Sequence, residues 1–166
     1  MPDYQFVADA MLGKLTKWLR ILGFDTLYHR SPNNDILIAM ALSQNRQILT
    51  RKTCLRNLKS ITHRLCFITD NSPFCQLEEV INHYQLTIDP HRIFTLCLIC
   101  NQKLEEAHLE DIRGTIPDYV AATHTAFSVC PHCRKVYWRG THFENIWQQI
   151  EKHMNHNVPP HNNNPS

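Results

Sequence analysis

The stretch YQFVADAMLGKLTKWLRILGFD, residues 4–25, contains the change of hydrophobic period that decides the fold. Its first residues, Tyr4–Ala8, form a short apolar run that favours a buried strand. Leucines at positions 12, 15, 19 and 22 then recur at helical spacing, and Gly23 stands where a glycine commonly ends a helix. The stretch therefore predicts a strand over 4–8 and an amphipathic helix over 11–22.

The same alternation continues as far as residue 89. Apolar runs predict strands at 25–29, 47–50 and 63–69, and helical patterns follow at 32–44, 53–58 and 73–84. Strands and helices that alternate through short connections favour a parallel sheet with helices on both faces. The sequence therefore predicts an α/β fold, with this domain in residues 1–89.

The rest of the chain has a different character. Residues 90–153 contain paired cysteines separated by an acidic insert, and residues 154–166 are polar and proline-containing with no apolar pattern. We expect the first segment to be a small metal-binding module and the second to be a disordered tail.

Two Cys-x-x-Cys pairs, CLIC at 97–100 and CPHC at 130–133, are separated by 29 residues. Four thiolates complete a tetrahedron around zinc and leave no open position, which is typical of a structural site. The predicted ligands are Cys97, Cys100, Cys130 and Cys133. Two alternatives remain: a redox-active CPHC, which needs a helix start that residues 134–140 do not resemble, or a histidine ligand such as His132 or His142.

The charge of the chain is unevenly distributed. The total is only +2, yet residues 1–64 carry ten Lys or Arg against four Asp or Glu, and residues 65–133 carry three against nine. A basic first half favours a phosphate-bearing partner, although a solvated cationic surface explains it equally well. No apolar stretch is long enough for a membrane span, and the N-terminus does not resemble a secretory signal, so we expect a cytoplasmic protein without a disulfide framework.

Charged residues follow all four predicted strands. Asp9 follows the first, Asp35 lies in the opening turn of the helix after the second, and Asp70 follows the fourth; Arg51 and Lys52 follow the third. Because ligands bind beyond the carboxyl ends of parallel strands, three converging carboxylates suit Mg²⁺ or Mn²⁺ with a phosphate substrate. Individually, each acid is also an ordinary cap or turn residue.

The first predicted helix has a basic face. Lys14, Lys17 and Arg20 lie broadly opposite its leucines, as in a face that follows a phosphate backbone. The alternative is that these cations are simply solvated.

Several blocks together resemble the mut-seven C-terminal RNase domain family. The opening block is VADAMLGKL at 7–15 followed by WLRILGFD at 18–25, and Asp35, ILTR at 48–51 and Gln76-Leu77 match later motifs. The cysteine pairs match as well, with Asn101 after the first and VYWRGTH at 136–142 after the second. The resemblance covers residues 5–145.

This resemblance implies a PIN-like nuclease fold joined to a zinc ribbon, and a metal-dependent ribonuclease acting on RNA. Asp9 and Asp35 would hold the Mg²⁺ or Mn²⁺ ion, and Thr50 would support the site. The implied phosphate contacts are Lys14, Arg20 and Arg51.

One position departs from the family pattern. The motif usually reads Thr-Arg-Asp, but here it reads Thr50-Arg51-Lys52. Lys52 either neutralises a site acid and displaces the metal, or contacts substrate phosphate while Asp70 supplies the missing carboxylate. We therefore expect a metal-dependent ribonuclease, with a catalytically impaired RNA-binding protein of the same fold as the alternative and a protein-docking module on the acidic insert as a third.

Overall fold

The computed structural model describes residues 3–153, except for the side chains of residues 141–143, 151 and 153. Four parallel strands form the first sheet in the order β2-β1-β3-β4; they are β1 (Phe6–Ala8), β2 (Thr26–Tyr28), β3 (Gln47–Thr50) and β4 (Leu65–Phe67). The helices between and after them are α1 (Gly13–Ile21), α2 (Asn34–Ser43), α3 (Thr53–Arg56) and α4 (Pro73–Tyr84). The predicted α/β fold with a parallel sheet is confirmed.

Both faces of this sheet are covered because its strands alternate their side chains between two cores. Phe6, Ala8 and Leu49 pack on one side, where helices α1 and α4 contribute most of the apolar contacts. Val7 and Ile48 pack on the other side against α2 and α3. All five side chains are completely buried, so the sheet is the centre of a two-sided hydrophobic core.

Several element boundaries differ from the sequence prediction by one or two residues, and two of them have a clear local cause. Helix α2 begins at Asn34, two residues after Pro32, because the Asn33 side chain accepts hydrogen bonds from the backbone N–H groups of Asp35 and Ile36. Strand β4 begins at Leu65 because residues Thr62–Arg64 form a 3₁₀ turn in place of the strand predicted from residue 63.

The second sheet is antiparallel, in the order β5-β6-β7; its strands are β5 (Glu105–Ala107), β6 (Phe127–Val129) and β7 (Val136–Trp138). Two short helices, α5 (Leu109–Ile112) and α6 (Asp118–Thr123), lie between β5 and β6. The acidic insert is therefore folded and contributes the edge strand β5. The hydrophobic core between the second sheet and its two short helices is small, consisting of Ala107, Ile112, Ile116, Val120, Phe127 and Val136.

Helix α7 (Thr141–His153) follows β7 and packs back against the core of the parallel sheet. Its Ile146, Trp147 and Ile150 are buried in the same cluster as Leu15 and Leu19 of α1. The tail predicted over 154–166 lies outside the described residues. Within residues 3–153, no helix is long and apolar enough to cross a bilayer.

Candidate active site and four-cysteine centre

Asp9 is the central acid at the carboxyl edge of the parallel sheet. It follows β1 and is completely buried. Its Oδ1 accepts a hydrogen bond from the Met11 backbone N–H (2.7 Å), and its Oδ2 accepts one from the Thr50 hydroxyl and one from the Arg51 backbone N–H (3.0 Å). Three donors stabilise the buried carboxylate, and they tie the end of β1 to the end of β3.

The other two candidate acids are placed differently. Asp35 is exposed in the first turn of α2, where its backbone N–H is capped by Asn33. Asp70 is also exposed, and its Oδ1 accepts the Ser72 N–H (2.7 Å), which closes the turn before α4. Among the described residues, no group of three acids has its oxygens within 4.8 Å of one another, so the structure does not join Asp9, Asp35 and Asp70 into one cluster.

Lys52 directs its ammonium group toward the start of α2. Its Nζ donates to the Asn34 Oδ1 (2.7 Å) and the Pro32 carbonyl (2.9 Å), and its backbone N–H donates to the Thr50 hydroxyl (3.0 Å). Lys52, at the position where the resemblance implies an aspartate, therefore links β3 to the turn that contains Asp35.

A cleft of about 720 Å³ opens at this edge of the sheet. Its walls come from the loop after β1, helix α1, the segments at and after the ends of β2, β3 and β4, the start of α4, and the turn formed by Leu98 and Ile99. The cationic lining residues are Lys14, Lys17, Arg20, Arg30 and Arg51. No Asp or Glu of the described residues lines it, so the cleft favours an anionic ligand.

The cations of the cleft differ in what they already bind. Lys14 and Lys17 are exposed, and neither ammonium group has a hydrogen bond or ion pair within residues 3–153. Arg51 donates to the Asn71 Oδ1 (2.6 Å), and the Arg30 guanidinium lies 5.8 Å from the centre of the Tyr28 ring. The two lysines are therefore the cations best placed to contact a phosphate.

Arg20 is bound to the protein itself. Its Nε donates to the Thr26 carbonyl (2.9 Å), and its Nη1 donates to the carbonyls of Leu98 (2.9 Å) and Ile99 (3.0 Å). Its side chain lines the cleft, yet the residue is only 4% exposed. Arg20 thus joins helix α1 to the turn between the first two cysteines.

The four predicted cysteines meet in one place. The sulfurs of Cys97, Cys100, Cys130 and Cys133 all lie within 4.8 Å of one another, with 3.5 Å between Cys97 and Cys133 and 3.3 Å between Cys100 and Cys130. A tetrahedron with Zn–S bonds of about 2.3 Å has edges of about 3.8 Å, so the four sulfurs fit a zinc ion. The second pair precedes strand β7, which agrees with the sequence argument against a thioredoxin-like helix start.

Tyr137 of β7 supports this centre. Its hydroxyl lies 3.3 Å from the Cys97 sulfur and accepts the Leu98 N–H (3.1 Å). Burial opposes the charged form of Cys97, but hydrogen bonds from Tyr137 and from the backbone N–H groups of Cys100 and Ile99 outweigh it and lower the pKa of this thiol to about 6. A readily formed thiolate suits metal coordination.

Sequence reasoning missed part of the cleft. Arg30 follows β2, so the rule that identified Arg51 after β3 could have found it. The sequence did not indicate that Leu98 and Ile99 would line the cleft, because their position beside α1 depends on contacts between residues almost eighty positions apart. Thr50, expected to support the site, and Lys52, for which a substrate contact was one of two expected roles, are not among the residues that line the cleft. The Thr50 hydroxyl donates to Asp9, and the Lys52 ammonium group donates to Asn34.

The fold and the site define an α/β protein with a cationic cleft at the carboxyl edge of its sheet and a four-cysteine centre beside it. The chain belongs to the Mut7-C RNAse domain family, whose model matches residues 4–150. This membership supports a nuclease-like function and suggests RNA as the substrate. No curated protein and no solved structure matches the chain.

Proposed function

We propose that this protein is a ribonuclease that binds the phosphate backbone of RNA in the cationic cleft. The observation that carries the proposal is the lining of that cleft, which combines five Lys or Arg side chains with no Asp or Glu among the described residues that line it. Asp9 lies buried at the same edge of the sheet, behind the residues that line the cleft. Phosphate contacts dominate the affinity of proteins for nucleic acids, and family membership supplies the link to RNA.

The exposed lysines of α1 are the proposed backbone contacts. Lys14 and Lys17 are exposed, lie on one face of the helix and line the cleft together. Arg51 extends this cationic surface toward β4, where Asn71 orients its guanidinium. The strand of RNA would therefore lie along α1 and cross the end of β3.

The proposed catalytic group is Asp9, with Asp35 as the second acid. Mg²⁺ is commonly held by one or two carboxylates and completed by substrate phosphates, so a group of three acids is not required. Asp9 Oδ1 accepts one hydrogen bond and retains an acceptor position, and the Asp35 carboxylate has no hydrogen-bond partner within residues 3–153. When bound there, Mg²⁺ or Mn²⁺ supplies an activated water and stabilises charge on phosphoryl oxygens.

The surrounding residues hold Asp9 in place. The Thr50 hydroxyl and the Arg51 backbone N–H fix Oδ2, and the Lys52 backbone N–H in turn fixes the Thr50 hydroxyl. Thr50 is thus proposed as a positioning residue. The proposed zinc ion at the four cysteines is structural, since four thiolates leave no open position for a substrate.

The experiment that tests this function is cleavage of structured and unstructured RNA by the zinc-loaded protein with Mn²⁺. We expect cleavage by the wild type, and a loss of at least about 100-fold for Asp9→Asn. The matched control is Asp70→Asn, which removes a carboxylate that closes a turn and should retain most of the activity. Thermal unfolding of both variants separates loss of chemistry from loss of fold. If the wild type cleaves none of these substrates, the proposed ribonuclease function is wrong.

The second candidate is an RNA-binding protein of the same fold with impaired catalysis. The position of Lys52 favours this candidate. Its Nζ lies 2.7 Å from the Oδ1 of Asn34, the residue before Asp35, and a positive charge beside Asp35 disfavours binding of a metal ion there. Calorimetry with Mn²⁺ distinguishes the two: this candidate predicts no binding by the wild type and binding by Lys52→Asp. Binding by the wild type that Asp9→Asn abolishes supports the ribonuclease.

A further inference from the structure

The turn between the first two cysteines forms one wall of the cleft. Leu98 and Ile99 both line it, and the Ile99 side chain is 53% exposed. Its apolar surface is presented inside a cleft whose charged lining residues are all cations, where a bound nucleic acid would contact it. Phosphates cannot satisfy this side chain, whereas the apolar face of a nucleobase can.

The turn is held from two sides. On one side, Arg20 of α1 donates to the carbonyls of Leu98 and Ile99. On the other, the Leu98 N–H donates to Tyr137, whose hydroxyl contacts the Cys97 sulfur. A side chain on a turn fixed in this way is presented to the cleft in a defined position.

Arg20 is better suited to positioning the turn than to contacting a phosphate. Three of its five N–H donor positions are engaged with the carbonyls of Thr26, Leu98 and Ile99, and the residue is nearly buried. Burial lowers the pKa of the Arg20 guanidinium, and the negative charge of the nearby Cys97 and Cys100 opposes that shift. The cation is thus placed to couple the metal centre to the cleft wall.

We propose that Ile99 is a substrate-contacting residue that packs against a nucleobase of bound RNA, and that Arg20 is the positioning residue that holds Ile99 in the cleft. The zinc module then contributes directly to RNA binding as well as to its own folding. This inference rests on the proposed function, because it assigns a role to Ile99 within the same cleft.

The first test compares two strands that carry the same number of phosphates: an unpaired RNA oligonucleotide and its abasic counterpart. Binding of each to the zinc-loaded full-length protein is measured by fluorescence anisotropy. Ile99→Ser should weaken binding of the base-containing strand about fivefold and leave the abasic strand unchanged. The matched control is Leu42→Ser on α2, an equally exposed apolar position (50%) that does not line the cleft, and it should change neither affinity.

The second test is a double-mutant cycle between the two residues. Arg20→Lys keeps the charge but cannot reproduce the set of hydrogen bonds that Nε and Nη1 donate to the carbonyls of Thr26, Leu98 and Ile99. If Arg20 acts through Ile99, Arg20→Lys should weaken RNA binding in the wild type and have little further effect in Ile99→Ser. Additive effects would show that Arg20 acts on RNA independently, which overturns its positioning role. Zinc content and thermal unfolding exclude variants that have lost the module.

The outcomes separate this inference from the proposed function. If Lys14→Gln weakens RNA binding and Ile99→Ser binds both strands like the wild type, the inference alone is wrong. Equal weakening of both strands by Ile99→Ser also overturns it, because a base contact requires a base. If the wild type binds neither strand, the proposed function fails, and the inference fails with it.

Discussion

The two sheets of this protein differ in the size of the hydrophobic core that covers them. The parallel sheet has helices on both faces, and the side chains Phe6, Val7 and Leu49 are completely buried in it. The antiparallel sheet has three strands of three residues, and residues Glu105 and Glu106 of its edge strand are exposed. A small core supplies little folding energy, so we expect the second sheet to depend on metal binding by its four cysteines. The comparison thus predicts that hydrophobic burial stabilises one region and that metal coordination stabilises the other.

The two regions meet at the turn that carries Ile99. Asn101, directly after the first cysteine pair, accepts the Thr26 N–H (3.0 Å) and donates to the Asp25 carboxylate (2.5 Å). Together with Arg20, it fixes the four-cysteine module against the start of β2. The cleft therefore combines cations from the parallel-sheet region with an apolar wall from the other region.

The largest expected effect is that of Cys130→Ser, which should destabilise the antiparallel sheet but not the parallel sheet. Cys130→Ser removes one of four ligands from a centre whose zinc affinity amounts to about 10–16 kcal/mol in comparable peptides. We expect loss of stoichiometric zinc and of hydrogen-exchange protection in β5, β6 and β7, with protection retained in β1 and β3. The control Cys54→Ser alters an exposed thiol away from the centre and should keep one zinc per chain. Equal loss of protection in both sheets would contradict the comparison.

Truncation of a side chain in the core of the parallel sheet should have the opposite effect: it should lower the stability of that sheet and leave zinc binding unchanged. Leu49→Ala creates a cavity at a completely buried position of β3 and should lower the free energy of unfolding by about 2–5 kcal/mol in denaturant titrations. Zinc content should be unchanged. Leu42→Ala, at a half-exposed position of α2, should change stability by less than about 0.5 kcal/mol. Zinc loss in Leu49→Ala would mean that the two regions do not fold by separate means.

Substitutions at Asn101, which connects the two regions, should have a smaller effect on stability. Asn101 has a left-handed backbone (φ 68°) in addition to its two side-chain hydrogen bonds. Asn101→Gly removes the hydrogen bonds without straining the backbone and should lower stability by about 1–3 kcal/mol. Asn101→Ala adds the strain and should lower it by about 1 kcal/mol more. If both variants unfold like the wild type, Asn101 does not hold the regions together.

Much of the fold could be predicted from local pattern, because strand and helix periods and paired cysteines are properties of short segments. The order of strands and helices in residues 4–84 and the meeting of the four cysteines follow from the sequence in this way. The site was less predictable. Three acids follow predicted strands, yet only Asp9 is buried between two strand ends. Asp70 instead accepts a hydrogen bond within its own turn, and Asp35 is exposed in the first turn of α2.

Arg20 shows why the rest required the structure. On the helix it looks like a third cation beside Lys14 and Lys17, and the sequence predicts the same role for all three. Its partners lie almost eighty residues further along the chain, and nothing local to α1 indicates them. Long-range hydrogen bonds of this kind decide whether a cation faces substrate or the protein.

The measurement that tests the cationic cleft most directly is the salt dependence of RNA binding. The wild type, the double variant Lys14→Gln/Lys17→Gln and the control Lys59→Gln, an exposed lysine outside the cleft, are compared with one unpaired RNA strand. We expect the slope of log Kd against log salt to fall by about 1.4 in the double variant, which corresponds to two lost phosphate contacts, and to stay unchanged in the control. A slope equal to that of the wild type in the double variant would contradict binding of RNA in this cleft.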